Sequence, residues 1–343
     1  MDKVSMDEKN RIWMLRRRPV GSIRDGDIEI VAQPLSSLDD GYVRVKTLYI
    51  SIDPTNRIWM SDVDGYFPPL PIDGPLMGGL VGVVMESKDD AYEPGQIVMP
   101  GLSPWALYND FQAEELNSLP VLPGVPTQAF LGPLGGTGLT AYFGLTDIGQ
   151  PKEGDTLVVS AAAGAVGSMV GQIGKIMGCR VVGIAGSDSK CKWLIDVAGF
   201  DAAINYKTED LDAALAKHCP DGIDINFENV GGKNMDIVIG HLNDFSRMPL
   251  CGLISTYNAK EPVPGPYNFA NLLMRRTRMQ GFIIIDYLDQ FNDGLQKLAE
   301  WILSGQIKYE MDEVEGFENI PAALDRLFDG KNIGKVVVHV ADI

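Results

Sequence analysis

The stretch that most constrains the fold is DTLVVSAAAGAVGSMVGQIGKIMGCRVVGIAG, from Asp155 to Gly186. A short apolar run, Thr156 to Ser160, has the length and composition of a buried strand. Small residues follow, then a segment from Val166 to Met177 with apolar positions at helical spacing, then a second apolar run from Arg180 to Ala185. Strand, turn, helix and strand make a βαβ unit. Its first turn is an anion site, because unpaired backbone N–H groups and the positive end of the helix dipole face one point. The dinucleotide fingerprint is G-x-G-x-x-G. Here the small positions are Ala162, Gly164 and Gly167, so alanine replaces the first glycine. The flanking strand and helix supply the context that the mechanism requires, which favours pyrophosphate binding over ordinary packing of small residues.

A chain of 343 residues fits two domains. Its formal net charge of −17 would repel nucleic acid and anionic membrane, whereas an anionic cofactor can still bind locally. No apolar run has the length of a bilayer span, and the charged start MDKVSMDEKNRIW lacks the apolar core of a signal peptide, so a cytoplasmic protein is expected. Cys179, Cys191, Cys219 and Cys251 are scattered and read as reduced. With only His218, His241 and His339 beside them, a structural zinc site is not expected.

From Arg11 to Met99 short apolar runs (IEIVAQPL, YVRVKTLYISI, LVGVVMES) alternate with Gly- and Pro-rich turns, the pattern of a small β-rich, partly barrel-like domain. The loop SIDPTNRIWMSDVDGYFPPL offers Arg57, Trp59 and Tyr66 either as cleft residues or as local packing. Residues 123–149 read as the bridge into the second domain. Beyond the βαβ unit the alternation continues: a helix from Ser187 to Ala198, the strand AAINY, a helix from Glu209 to His218, the strand IDINFEN, and a helix near Lys233 to Leu242. The strands RMPLCGLI and RMQGFIIID follow, with a helix from about Asp289 to Leu303. This alternation means a mostly parallel sheet covered on both faces, with ligands at the carboxyl ends of its strands. The tail, with a helix from Pro321 to Phe328 and the strand KVVVHV, is expected to close the first domain's sheet.

The second strand bears on which dinucleotide is used. An NAD site places an acid at its tip to take the ribose hydroxyls. Here the tip is Ile184-Ala185-Gly186-Ser187, with Lys190 in the following helical turn. A small tip and a nearby cation suit a 2′-phosphate, hence NADPH; Asp188 is the complication, and Lys190 is otherwise a solvated helix residue. Tyr206 ends the third strand beside the same pocket. Asn229 in ENVGG ends the fourth. Ser255, Thr256 and Tyr257 end the fifth, and Phe282, Ile283 and Ile284 fall on the sixth, where backbone groups can pair with a nicotinamide carboxamide. Plain strand packing is the other reading of these positions, strongest for the isoleucines.

The motifs VVSAAAGAVGSMVGQIGK, VVGIAGSDSK, FDAAINYKT, FENVGG, CGLISTYN, VEGFENIPAAL and KNIGKVVV resemble the zinc-independent medium-chain dehydrogenase/reductases. The resemblance extends over most of the chain and is strongest to the prostaglandin and alkenal reductase, curcumin reductase and plant double-bond reductase group. It implies a GroES-like domain over 1–128 with 309–343, a Rossmann NADPH-binding domain over 129–308, and a homodimer. Position by position it implies pyrophosphate contacts at Ala162, Ala163, Gly164, Ala165, Val166 and Gly167. The 2′-phosphate would lie at Gly186, Ser187, Lys190 and Tyr206. The rest of the cofactor would be held by Asn229, Cys251, Gly252, Ser255, Thr256, Tyr257, Phe282, Ile283, Ile284 and Asn332. Zinc-dependent relatives carry a Gly-His-Glu segment where this chain has GPLMGGLVG, so a metal-free hydride transfer is implied. The substrate is then the carbon–carbon double bond of an α,β-unsaturated carbonyl compound. Tyr257, with a cofactor ribose hydroxyl, would face the carbonyl oxygen, and Tyr66 would reach the cleft from the other domain. Two departures stand out: DPTNRIWM replaces DPYMRGRM, and Glu228 replaces an aspartate before Asn229. An NADPH:quinone oxidoreductase and a non-catalytic NADPH-binding protein are the alternatives. The proline-rich loop Asn258 to Asn271 either covers the site or meets a second copy.

Overall fold

In the computed structural model, which describes residues 9–63 and 65–343, the strand Thr156–Val159 lies inside a six-stranded parallel sheet. The spatial order is Ala202–Asn205, Arg180–Ala185, Thr156–Val159, Ile223–Phe227, Leu242–Leu250, Arg278–Gly281. In chain order that is 3-2-1-4-5-6, the doubly wound Rossmann topology, and its winding reverses between the first and fourth strands. Leu157 pairs with Val181 on one side and Ile225 on the other. Leu157, Val158 and Val159 have no exposed surface, as a strand covered on both faces requires.

The helix Ala165–Ile176 sits close on this sheet because its inner face is small. A Cβ at Gly171 would lie 1.9 Å from the Phe200 ring, and one at Gly174 2.5 Å from Leu157. The next helix, Asp188–Asp196, begins at Ser187, whose hydroxyl accepts the Lys190 N–H as an N-cap. The helix Phe291–Leu303 buries Gly294, Leu298 and Trp301. Its buried stripe is therefore rotated from the one that Phe291, Leu295, Leu298 and Ile302 suggest.

The other unit is β-rich. Tyr42–Ser51 pairs antiparallel with Leu80–Ser87 and Tyr108–Gln112, and its far end pairs with Lys335–His339. The tail strand thus joins this sheet. Trp13, Leu15, Ile50, Ile52, Met60, Leu76, Leu80, Trp105 and Leu324 form its main core. The architecture is a Rossmann sheet plus a GroES-like β domain.

Two compact units result, one with the chain up to Leu131, Met311–Lys331 and Val336–Ile343, the other with Gly132–Glu310 and Asn332–Lys335. The short segment Asn332–Lys335, expected with the rest of the tail, goes with the Rossmann unit. The reason is local: Gly334 donates its N–H to the Ala163 carbonyl at 2.8 Å.

The sixth strand differs from the sequence expectation. It stops at Gly281, and Ile284–Gln290 is a 3-10 segment. Phe282 turns inward, edge-on to Phe227 at 6.3 Å, over Gly144, where a Cβ would lie 2.4 Å from the Phe282 ring. The fifth strand likewise ends at Leu250, short of Cys251.

Candidate active site

The glycine-rich turn is built by the backbone. Ala162 donates to Ile184 O at 3.0 Å and Gly164 to Ala161 O at 2.9 Å, which folds the chain back over the strand end. The left-handed position is Ala161, φ 48°, one residue before the alanine that replaces the first fingerprint glycine. Gly167 is forced, since a Cβ there would stand 2.4 Å from the Ala161 carbonyl oxygen. The first i→i−4 bond of the helix runs from Ser168 N to Gly164 O, so the N–H groups of Ala165, Val166 and Gly167 lie ahead of it. Ala162 and Ala163 are buried. Asn332, also buried, donates to Gly334 O at 3.1 Å, and Gly334 bridges to Gly164. The segment KNIGK therefore braces the turn.

At the second strand tip, a Cβ on Gly186 would meet the Tyr206 ring at 3.2 Å, its hydroxyl at 3.3 Å and Lys207 Cε at 3.2 Å. Glycine leaves this space open. Lys190 is only 9% exposed, so it is not a solvated helix residue. Asp188, the complicating acid, accepts from Asn205 Nδ2 at 2.7 Å, which holds its carboxylate against the third strand. Lys207 went unnoticed in the sequence, although it follows Tyr206 directly. An acid-free tip with open space beside Gly186, Lys207 next to it and Lys190 in the following helical turn fits a phosphate on the ribose.

The ends of strands four and five are tied together. Asn229 donates its side-chain amide to Ser160 O at 2.7 Å and its N–H to Ser160 Oγ at 2.8 Å. Ile254 N–H reaches Asn229 O at 3.2 Å, and Ser255 donates N–H and hydroxyl to Val230 O at 3.0 and 2.6 Å. Thr256 donates its hydroxyl to Leu253 O at 2.8 Å. Cys251 and Gly252 both donate backbone N–H groups to Glu228 O. Burial, with a smaller contribution from the Glu228 charge, pushes the Cys251 thiol up to about 12, which makes it inert as a thiolate.

Tyr257 follows the turn Ile254–Thr256. Its phenol oxygen accepts the Leu253 N–H at 3.0 Å, and a Cβ on Gly252 would stand 3.2 Å from it. Burial raises the phenol pKa and outweighs the opposing Leu253 bond, so the proton stays on at neutral pH. The hydroxyl is oriented by what it accepts and keeps a proton to donate.

The long loop of the β-rich unit divides differently. Arg57 is buried, donating to Pro19 O and Gly21 O, and desolvation lowers its pKa; it holds the loop. Trp59 packs on Phe67, ring centroids 5.0 Å apart. Tyr66 is 44% exposed. Among the described residues, the one group of three metal-capable side chains is Glu313, Glu315 and His339, in the same unit.

Residues 11–119 match the family described as the N-terminal domain of oxidoreductase, and residues 165–301 the one described as zinc-binding dehydrogenase. The chain is 44% identical to the NADPH-dependent curcumin reductase of Escherichia coli, over 97% of this chain and 98% of that one. The chain belongs to the medium-chain dehydrogenase/reductases. Within this family it is also 40% identical to the NADP-dependent 2-alkenal reductase of Nicotiana tabacum, over 97% and 98% of the two chains. Among solved structures, CurA from Vibrio vulnificus in complex with NADPH superimposes with a TM-score of 0.91 at 44% identity, covering 97% and 100%.

Proposed function

We propose that Tyr257 is the donor that stabilises the enolate in an NADPH-dependent conjugate reduction. The chain is an NADP-dependent oxidoreductase acting on the carbon–carbon double bond of α,β-unsaturated carbonyl compounds. The bound cofactor supplies the hydride, which adds to the β-carbon and leaves negative charge on the carbonyl oxygen; a proton from solvent completes the reduction at the α-carbon. The protein's task is to place a donor where that charge develops. The observation that carries the assignment is the Tyr257 hydroxyl, fixed by the Leu253 N–H in the turn that follows the fifth strand and protonated at neutral pH.

The remaining residues supply the berth. Ala165, Val166 and Gly167 present backbone N–H groups to the pyrophosphate, and Ala162, Ala163 and Gly164 build the turn beneath it without bulk. Gly186, Ser187, Lys190 and Tyr206 receive the 2′-phosphate. Asn229, the Cys251–Tyr257 run, the backbone of Phe282, Ile283 and Ile284, and Asn332 line the rest. Tyr66 is the second candidate donor, and hydride transfer proceeds without a metal.

The active form is a homodimer in the cytoplasm. Tyr267, Phe269, Leu273 and Met274, in the segment that leads into the edge strand Arg278–Gly281, are all more than half exposed, and a second copy would cover them. All four cysteines are free thiols, and among the described residues no helix is long and apolar enough to cross a membrane.

Following nicotinamide absorbance with NADPH and NADH against alkenals, aryl enones and quinones tests the reading. Turnover of enones with NADPH is expected. Reduction of quinones alone would make the protein a quinone oxidoreductase, and binding without any acceptor would make it a non-catalytic protein.

A further inference from the structure

One buried carboxylate stands at the junction of the ligand-edge loops. Glu228 has no exposed surface. Its Oε1 accepts from Ser160 Oγ at 2.9 Å, Val230 N at 2.7 Å and Gly231 N at 2.8 Å, and its Oε2 from Asn226 Nδ2 at 3.1 Å. Its backbone carbonyl takes the N–H groups of Cys251 and Gly252 at 2.9 and 3.1 Å. One residue thus joins the strand end before the phosphate turn, the ENVGG loop and the strand end that leads to Tyr257. Each of the four donors to the carboxylate is neutral. The carboxylate lies near the Cys251 thiol, where its charge adds to the larger effect of burial in pushing that thiol up.

The reaction creates a positive charge at this edge of the sheet. When a dihydronicotinamide gives up a hydride, two electrons leave with it and the neutral ring becomes a cation. A fixed negative charge stabilises that cation and does nothing comparable for the neutral ring. Two unit charges about 10 Å apart at an effective dielectric constant of about 20 interact strongly enough to change an equilibrium roughly tenfold. We propose that the Glu228 carboxylate tunes the bound cofactor, favouring NADP⁺ over NADPH and so strengthening the bound reductant as a hydride donor. Glu228 is a positioning residue with an electrostatic role, not a catalytic one. The proposal rests on NADPH binding at these strand ends.

The neighbours allow charge and geometry to be separated. Asn226 Oδ1 is buried without a hydrogen-bond partner. In Glu228→Gln the new amide can face Asn226, whose own amide flips to present Oδ1, while Gln Oε1 keeps the Ser160, Val230 and Gly231 donors. The cage survives and the charge goes. The experiment measures Kd for NADP⁺ and for NADPH by fluorescence titration, without substrate.

In Glu228→Gln the ratio Kd(NADP⁺)/Kd(NADPH) is expected to rise by at least about threefold and toward tenfold. Equal weakening of both forms, or no change, overturns the proposal and leaves Glu228 a structural brace. If this variant does not fold, Glu228→Gln with Asn226→Asp keeps all four bonds with the polarity of the pair reversed. It moves the charge two residues back from the strand end, and a smaller rise in the ratio is expected; an unchanged ratio again overturns the proposal. Failure of the wild-type protein to bind either form would instead remove the binding reading on which the proposal rests, and the proposal with it.

Discussion

The phenol oxygen of Tyr257 stands 3.0 Å from the backbone nitrogen of Leu253 and accepts its hydrogen. That bond uses a lone pair and leaves the hydroxyl proton as the group's only donor. Tyr257→Phe removes the donor and the acceptor for one N–H while keeping the ring. Loss of a single donor to a developing oxyanion costs about 100- to 1,000-fold in turnover where it acts alone, and a shared role brings this nearer tenfold. We expect kcat on enones to fall at least about tenfold, with the NADPH Kd within about twofold of wild type. Unchanged turnover on every accepted enone would remove the assignment.

Lys190 combines burial with a place in the first turn after the acid-free tip. A charge-assisted bond to a phosphate contributes about 1.5–3 kcal/mol, or about 10- to 100-fold in affinity. Lys190→Met preserves the apolar stem and deletes the charge. The KM for NADPH should rise by about that factor while the KM for NADH changes little. If both rise together, the residue braces the helix and does not read the 2′-phosphate.

Gly167 and Gly164 make different demands on the phosphate turn. A Cβ at Gly167 meets Ala161 O at 2.4 Å and Ala162 Cα at 2.9 Å, both backbone atoms that cannot swing aside. At Gly164 the nearest atom is Ala161 O at 3.2 Å. Gly167→Ala should cost about 1–3 kcal/mol in stability and weaken NADPH binding more than tenfold, with Gly164→Ala the milder change in stability. Denaturant titrations and cofactor binding on the two variants check the order; the reverse order in stability would refute the geometric reading.

What the sequence made legible were features written in local chemistry. The small residues between an apolar run and a helical pattern gave the strand, turn and helix at their observed places, and the alternation after them gave the parallel sheet. What escaped needed partners distant along the chain. Ile283 and Ile284 read as strand because β-branched residues favour one, yet Phe282 is drawn inward by Phe227 and by the space above Gly144. Glu228 stands out in the sequence only as a replacement of aspartate, because one of the donors that cage it, Ser160, lies 68 residues earlier. Ala161 takes a conformation that alanine disfavours, imposed by bonds made on either side of it.

The helix Phe269–Met274 has no buried residue, and Leu273 is 75% exposed. Since Leu273 contributes little to packing within one chain, Leu273→Glu should leave the fold intact. If this surface meets a second copy, light scattering should show a wild-type dimer and a monomeric variant with an unchanged thermal melt. A wild-type monomer, or a variant that still dimerises, would reject the interface.

His339 gives the β-rich unit a pH-dependent element. Its Nδ1 lies 2.8 Å from Glu315 Oε2, its Nε2 lies 3.4 Å from Asp342 Oδ1, and the Tyr49 ring is 5.0 Å away. Burial alone would lower the imidazole pKa, but the Glu315 hydrogen bond and the charges of Glu315, Glu313 and Asp342 outweigh it, and the net shift is upward. A folded-state pKa above the unfolded value of about 6.5 means that this stabilisation is full below about pH 6.5 and is lost as pH rises through the folded value. His339→Gln should therefore flatten the decline in melting temperature above pH 6.5, by about 1–2 °C at low salt. Glu315 is 75% exposed, so 0.5 M salt should shrink the difference between the two proteins. Parallel melting profiles for wild type and variant from pH 5.5 to 9 would show that the pair carries no net stability.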